Sequence, residues 1–435
     1  MTHDHDRTAL GAEARRLRED ADRTANWKRW GPYLAERQWG TVREDYSADG
    51  DCWNAFPHDH ARSRAYRWGE DGLLGITDRE CRMCFALALW NERDPILKER
   101  LFGLTNPEGN HGEDVKEQYF YLDSTPTHAF MKALYKYPQA AFPYEQLVQE
   151  NRRRGNLDPE YELVDTGAFD DDRYFDVFVE YAKDAPDHLV IVVTLVNRAR
   201  ERARLHVLPT VWFRNTWAWG GDGEDMPPRP RLRRLDADTI ATEHETLGRF
   251  RLVADRAGNG PADLLFTEND TNVARLFGAP NPAPHVKDAF HEYVVHGNVE
   301  AVSPEPEGTK AALHYVLEIP GGGERVLRFR LAAARRPGDP ADRPIDDIVR
   351  DRRAEADAFH DARVPATLGA DERNVVRQAY AGLMWSKQFY HYDVRTWQTG
   401  DPAQPAPDAS RLGRRNGEWG HLYNRDVISM PDKWE

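Results

Sequence analysis

The closing segment of the chain gathers residues able to recognise a sugar. Trp385 to Asp393 reads Trp-Ser-Lys-Gln-Phe-Tyr-His-Tyr-Asp, and Asn416 to Asp426 reads Asn-Gly-Glu-Trp-Gly-His-Leu-Tyr-Asn-Arg-Asp. Aromatic faces stack on the apolar C–H side of a pyranose, and neighbouring Asp, Asn, Arg and His side chains satisfy its hydroxyls. A plain core would owe each ring tip and each charge a buried partner. The candidate substrate contacts are therefore Trp385, Tyr390, Tyr392, Asp393, Trp397, Trp419, His421, Asn424, Asp426 and Trp434. Glycoside hydrolysis asks in addition for two carboxylic acids flanking the scissile bond, one protonated and one activating water or attacking. Asp393, Glu418, Asp426, Asp432 and Glu435 are the acids on offer here, and their spacing does not say which of them face each other. A solvated or ion-paired surface role is the commoner fate of any single one.

Other chemistries find less support. Cys81-Arg82-Met83-Cys84 has the spacing of half a zinc site, with Cys52, His58 and His60 as imaginable completions, but the pair sits at the mouth of an apolar strand, where buried free thiols are expected. No metal site is assigned. His3 and His5 belong to a polar terminus. Asp170-Asp171-Asp172 lacks the glycine and distal glutamate of a calcium loop and reads as a turn, so no cofactor is called for and a structural calcium has no support in the sequence. No Gly-x-Ser-x-Gly elbow occurs. Gly220-Gly221-Asp222-Gly223 lacks the Lys and Ser/Thr of a phosphate loop and reads as a flexible turn.

The elements that must position the closing segment are mostly strands. Short apolar segments between turn signals run from about residue 41: Arg64 to Trp68, Leu73 to Ile76 and Met83 to Trp90. Asp94 to Gln149 is less regular. Arg173 to Phe213 is rich in β-branched and aromatic residues and reads as a three-strand meander, and Leu313 to Leu331 reads as a hairpin turning at Pro320-Gly321-Gly322-Gly323. Residues 335–344 form a Pro-, Gly- and Arg-rich linker. Helices follow at Ile345 to Arg363 and Asp371 to Tyr390, the second with Val375, Val376, Ala379, Tyr380, Leu383 and Met384 on one face. The predicted fold is mainly β with α, an antiparallel sandwich followed by helices.

With 435 residues the chain exceeds one ordinary core, and a formal charge of −14 argues against a nucleic-acid partner. No basic segment followed by an apolar run opens the sequence and no stretch is long enough to span a bilayer, so a cytoplasmic protein with no membrane partner is the expectation. Aromatic residues make up 11% of the chain, 13 of them Trp, which suits saccharide platforms and sandwich cores alike.

Four stretches together resemble a known family: Trp27 to Tyr46, Glu99 to Asp114, Tyr121 to His128 and Asn424 to Glu435. They are similar to the large bacterial glucosidases related to mannosyl-oligosaccharide glucosidase, in glycoside hydrolase family 63. The resemblance implies an N-terminal β-sandwich (a supersandwich), a helical linker and a C-terminal (α/α)6 barrel that inverts the anomeric centre. Mapped onto this chain it gives a lead at residues 1–40, the sandwich at 41–334, a linker with a helix at 335–367 and the start of an incomplete barrel at 368–435. It also implies a general acid in a Trp-Asp motif a little beyond the equivalent of Trp434-Glu435 and a general base much later, so the catalytic groups are expected past Glu435. Two readings stay open. The chain is the front portion of an inverting α-glucosidase-like hydrolase acting on glucosyl-oligosaccharides, or it is a non-catalytic carbohydrate-binding and assembly module that needs a separately encoded barrel half.

Overall fold

The computed structural model describes residues 11–37, 57–105, 108–110, 114–220, 228–334, 342–400, 402, 405–413 and 416–429. Two antiparallel sheets dominate. The six-stranded sheet runs, in spatial order, β1 (Trp30–Gly31), β2 (Leu73–Asp78), β3 (Met83–Trp90), β10 (Ala203–Phe213), β16 (Lys310–Ile319) and β14 (Asp263–Thr267). The nine-stranded sheet begins with β15 (Glu307–Gly308), β11 (Arg231–Arg234), β12 (Thr239–His244) and β13 (Gly248–Ala254). It continues through β17 (Glu324–Ala333), β9 (His188–Asn197), β8 (Tyr174–Ala185), β7 (Phe130–Pro138) and β6 (Tyr119–Ser124). Small pairs are formed by β4 (Gly103–Leu104) with β5 (Asp114–Val115), and by β18 (Lys387–Asp393) with β19 (Tyr423–Ser429).

Alternation decides which side of each strand faces the other sheet. Phe85, Leu87 and Leu89 of β3, Val207 and Val211 of β10, and Leu313 and Tyr315 of β16 meet Val177, Val179 and Tyr181 of β8, Ile191 and Val193 of β9, and Leu327 and Phe329 of β17 in one continuous core. Edge-on ring pairs bridge the layers, Phe85 with Tyr181 at 6.3 Å and Tyr315 with Phe329 at 6.1 Å. The mainly antiparallel sandwich expected from the sequence is therefore the architecture of the molecule.

Four local expectations are corrected. The third strand of the expected meander leaves its neighbours: β8 pairs with β9, but β10 crosses to the other sheet and pairs with β3 and β16. The expected hairpin is likewise an arch, with β16 in the six-stranded sheet and β17 in the nine-stranded one. Its tip tolerates no side chain at Gly321, where a Cβ would lie 1.9 Å from the Arg200 carbonyl oxygen, and Gly322 takes φ +66°. Alternation cannot tell a hairpin from an arch, since both bury one face of each strand. Arg64 to Trp68 is no strand; its chain is held by side-chain partners, the Ala65 N–H donating to the Thr271 hydroxyl (3.0 Å) and Lys287 Nζ to the Arg64 carbonyl (2.7 Å). The stretch from Asp94 to Gln149 is more regular than its sequence suggests, since it holds β6, β7 and the start of helix Tyr144–Arg153 (α2). Helix α1 (Ala12–Ala21) precedes β1.

Helices and loops seal the outer faces. Helix α4 (Ile345–Asp361) sets Ile348, Val349 and Ala356 against Ala182, Val190 and Val192 of the nine-stranded sheet. Helix α3 (Ala289–His296) sets Phe290 and Val294 against Ala88, Leu208 and Ala312 of the six-stranded sheet. Helix α5 (Ala370–Trp385) buries Ala381 and Trp385 and ends before β18, so the expected helix to Tyr390 stops at Trp385. Its stripe of Val375 (61% exposed), Tyr380 and Leu383 (71% exposed) points outward. The β18–β19 hairpin lies over the six-stranded sheet, with the Phe389 N–H donating to the Tyr33 carbonyl and its ring packed beside Cys84 and Trp212.

Candidate functional site

The closing segment does not act as one surface. Trp385 is fully buried at the end of the sandwich, stacked on Tyr121 (centroids 4.9 Å apart, planes 8° apart), with its indole N–H donating to the Asp123 carbonyl. Trp397 and Tyr392 are buried with Tyr66, Trp68 and Val394 in a separate small core. Asp393 is the cap of helix Val394–Thr399 (α6), accepting from the Arg395 and Thr396 N–H groups and from the Thr396 hydroxyl. Tyr390 and Asn424 are half-buried on the hairpin, opposite Asp426 and Tyr392 respectively. Trp419, His421 and Asp426 are exposed; Trp419 and His421 lie 5.7 Å apart, and Asp426 reaches Arg79 at 3.4 Å. Trp434 lies outside the described residues, as do the acids Asp432 and Glu435.

A cleft forms instead where β10 ends. The chain leaves Phe213 through Arg214-Asn215-Thr216-Trp217-Ala218-Trp219 and meets the segment that follows β14. Asn215 joins the two loops: its amide donates to the Asn269 carbonyl (2.9 Å) and to Asp270 (2.8 Å), and its oxygen accepts from the Ala218 N–H (3.1 Å). Asn269 returns the link by donating to the Phe213 carbonyl and to Glu70, each at 3.0 Å. Asp270 is almost fully buried and accepts from the Trp217 indole N–H (2.7 Å), from Asn215 and from Arg229 (2.5 Å). The Arg229 guanidinium in turn lies over the Trp217 ring at 4.8 Å.

Tyr66, Trp217, Trp219, Arg229, Asp270 and Thr271 are among the walls of this cleft, whose volume is about 200 Å³. Its floor is stiffened by a charged layer on the outer face of the sheet. Tyr66 donates to Asp71 (2.9 Å), Asp71 pairs with Arg100 (3.0 Å), and Glu99 pairs with Lys310 (2.6 Å). Lys287 sits 3.6 Å from the Tyr66 ring centre, and burial brings its ammonium down to about 8. Removing one partner from such a layer strands a buried charge, so the layer fixes Tyr66 more than it adds net stability.

Trp219 connects the cleft to the hairpin. Its ring lies 5.8 Å from His391, which also meets Trp68 edge-on at 5.2 Å and accepts a hydrogen bond at Nδ1 from Arg214 (2.9 Å). Burial, with Arg214, Arg425 and Arg67 nearby, lowers His391 to about 3, so its imidazole is neutral. Sequence reading missed Asn215, Trp217, Trp219, Arg229 and Asp270. The signal is Trp217-Ala218-Trp219 a few residues beyond a strong strand, and the glycines that follow it read as a plain turn. Gly220 does adopt φ +77°, and a Cβ there would lie 2.9 Å from the Pro402 ring.

The metal-like clusters have other occupations. Cys81 and Cys84 are buried with sulfurs 3.9 Å apart, and burial raises the Cys84 thiol. His58 packs between Phe102 and Tyr144, and Cys52 lies outside the described residues. His291, Glu292 and His296 converge, but the Leu97 N–H donates to His291 Nδ1 (3.2 Å), which places the imidazole proton on Nε2, facing His296 Nε2 at 3.2 Å. That tautomer makes a His–His hydrogen bond rather than a metal ligand.

The chain matches no protein-family model. The Saccharomyces cerevisiae protein named "Uncharacterized protein YMR196W" is 44% identical over 463 residues, which take in 97% of this chain and 42% of that protein. The chain thus spans less than half the length of that relative. Among solved structures, a putative aldose 1-epimerase from Escherichia coli K12 is 10% identical with a TM-score of 0.23, covering 50% of this chain and 68% of that one. A galactose mutarotase related enzyme from Lactobacillus acidophilus is 9% identical (TM-score 0.25; 63% and 99% covered), and a putative kojibiose phosphorylase from human microbiome is 8% identical (TM-score 0.26; 82% and 40% covered). At these scores none of them carries an argument about this chain. No helix among the described residues is long and apolar enough to cross a membrane.

Proposed function

We propose that the cleft between Trp217, Trp219 and Asp270 binds a sugar ring, and that the chain is the sandwich-bearing portion of a glycoside hydrolase of inverting α-glucosidase type. The observation that carries this reading is the cleft itself: two indoles, a buried carboxylate, an arginine and a tyrosine around a space of about 200 Å³. Indole faces suit the apolar side of a pyranose, and Asp270 and Arg229 supply an acceptor and a donor for its hydroxyls. The family resemblance of Trp27 to Tyr46 and Asn424 to Glu435 supports the same substrate class. Hydrolysis is not assigned to the cleft. Among the described residues Asp270 is the one acid in its walls, and its carboxylate already accepts from Asn215, Trp217 and Arg229. In this reading the cleft holds an outer sugar unit and the proton-transferring acids belong elsewhere in the whole protein. Calorimetric titration with glucose and maltose tests it. Saturable binding that falls at least tenfold in Trp217→Ala supports the reading; binding unchanged in that variant contradicts it.

A second reading is favoured by the outward stripe of α5. Val375, Tyr380 and Leu383 leave apolar surface on one helix face, and more than half of the yeast relative lies outside the matched region. Here the chain is a carbohydrate-binding and assembly module whose α5 is covered by a helical barrel half. Light scattering on the purified 435-residue chain separates the two: self-association abolished by Leu383→Glu supports this reading, and a monomer over the whole concentration range speaks against it.

A further inference from the structure

We infer that the hairpin side of Trp219 is a binding subsite for an oxyanion, a carboxylate or a phosphate ester carried by the ligand. The inference rests on the sugar-cleft reading only in placing that anion on a sugar. The starting observation is Arg214. Its side chain is buried (the residue is 4% exposed), yet it forms no ion pair with any carboxylate among the described residues; its protein partner is the His391 Nδ1, and its Nε is sealed without a hydrogen bond. Buried arginines are normally matched by a carboxylate, because an uncompensated guanidinium is costly to desolvate. Phe389 and Trp219 compensate in part, each ring centre lying 4.9 Å from the guanidinium carbon. The Arg67 guanidinium lies over the same Trp219 ring at 4.8 Å.

What these groups present outward is all of one kind. Among the described residues, Arg214 Nη1, His391 Nε2 and Trp219 Nε1 find no hydrogen-bond partner, and none of the three is among the sealed polar atoms that lack one. The tautomer of His391 is set by geometry, since an Nδ1 that accepts from Arg214 leaves the proton on Nε2. A guanidinium N–H, an imidazole N–H and an indole N–H therefore gather around one ring. A neutral sugar hydroxyl needs donors and acceptors in turn, whereas a set of donors with a positive charge matches an acceptor-only group. The neighbouring cleft keeps its acceptor, Asp270, so neutral and anionic recognition sit on either side of Trp219.

The test follows tryptophan fluorescence of the full chain on addition of inorganic phosphate and of acetate, against sodium chloride at matched ionic strength. Glucose, glucuronate and glucose 6-phosphate are then titrated calorimetrically. The expected result is a saturable change with phosphate or acetate beyond the chloride control, absent in Trp219→Phe, and an anionic sugar bound at least tenfold tighter than glucose. Glucuronate leading identifies a carboxylate; glucose 6-phosphate leading identifies a phosphate. The preference should vanish in Arg214→Gln, and Arg214→Met serves where that variant fails to fold. A phosphate or acetate response without glucose binding upholds the subsite and removes the neutral-sugar reading of the cleft. Glucose binding with no preference for either anionic sugar overturns the subsite and leaves that reading standing. An anion response no larger than chloride overturns it outright.

Discussion

At the residue scale, the arrangement depends on polar groups kept in one protonation state by burial. His291 is lowered to about 3, His314 to about 4 and His391 to about 3, in each case chiefly by desolvation. A histidine whose folded value is depressed is protonated first in the unfolded chain, so the stability it permits is lost as pH falls below about 6.5. Chemical denaturation at pH 7 and pH 5 should therefore show the molecule weaker at pH 5, by up to about 2 kcal/mol for each such histidine. The difference between wild type and His314→Gln isolates one of them; a pH-independent difference would be the wrong result. Lys183 works in the alkaline direction. Its ammonium donates to the carbonyls of Trp27, Trp30 and Thr127, while burial brings it down to about 7. The unfolded chain then holds a proton that the folded chain sheds, and stability should rise between pH 7 and pH 9.5 in wild type but not in Lys183→Met, read by denaturant titration. Above that window the buried tyrosines, Tyr135 and Tyr181 among them, oppose it, since burial raises their values and their contribution fades as pH climbs past 10.

At the element scale, the longest strands were legible in the sequence and their partners were not. Tyr174–Ala185, His188–Asn197 and Lys310–Ile319 announce themselves by β-branched and aromatic residues, but nothing local says that Ala203–Phe213 pairs with Met83–Trp90 more than a hundred residues earlier. The closing segment shows the same limit for a site. Its rings and acids are the composition of a sugar platform, yet Trp385 and Trp397 are core, and Asp393 caps a helix. The cleft joins Asn215 to Asp270, 55 positions apart, a juxtaposition only the fold creates. These roles make different predictions. Trp385→Ala opens a cavity in the main core and should cost about 3–5 kcal/mol of global stability. Trp397→Ala empties the small core under the hairpin; amide exchange should quicken from Lys387 to Ser429 while β8 and β9 stay protected. Equal loosening of both sheets in Trp397→Ala would show that the hairpin is not the separate unit its packing implies.

At the scale of the whole molecule, the sandwich supplies a rigid outer face on which loops and a hairpin are assembled. The buried charged layer of Asp71, Arg100, Glu99 and Lys310 fixes the floor, and Trp219 is the common wall of a cleft with its own acceptor and of a cluster that only donates. The division of labour proposed above predicts that this chain binds sugar without turning it over. Its most direct test is a nitrogen-15 spectrum of the 13 indole N–H groups during titration with maltose, the signals of Trp217 and Trp219 being assigned from the Trp217→Phe and Trp219→Phe variants. The account predicts that these two signals move saturably and together. Movement confined to the exposed Trp419, or no movement at all, would contradict it.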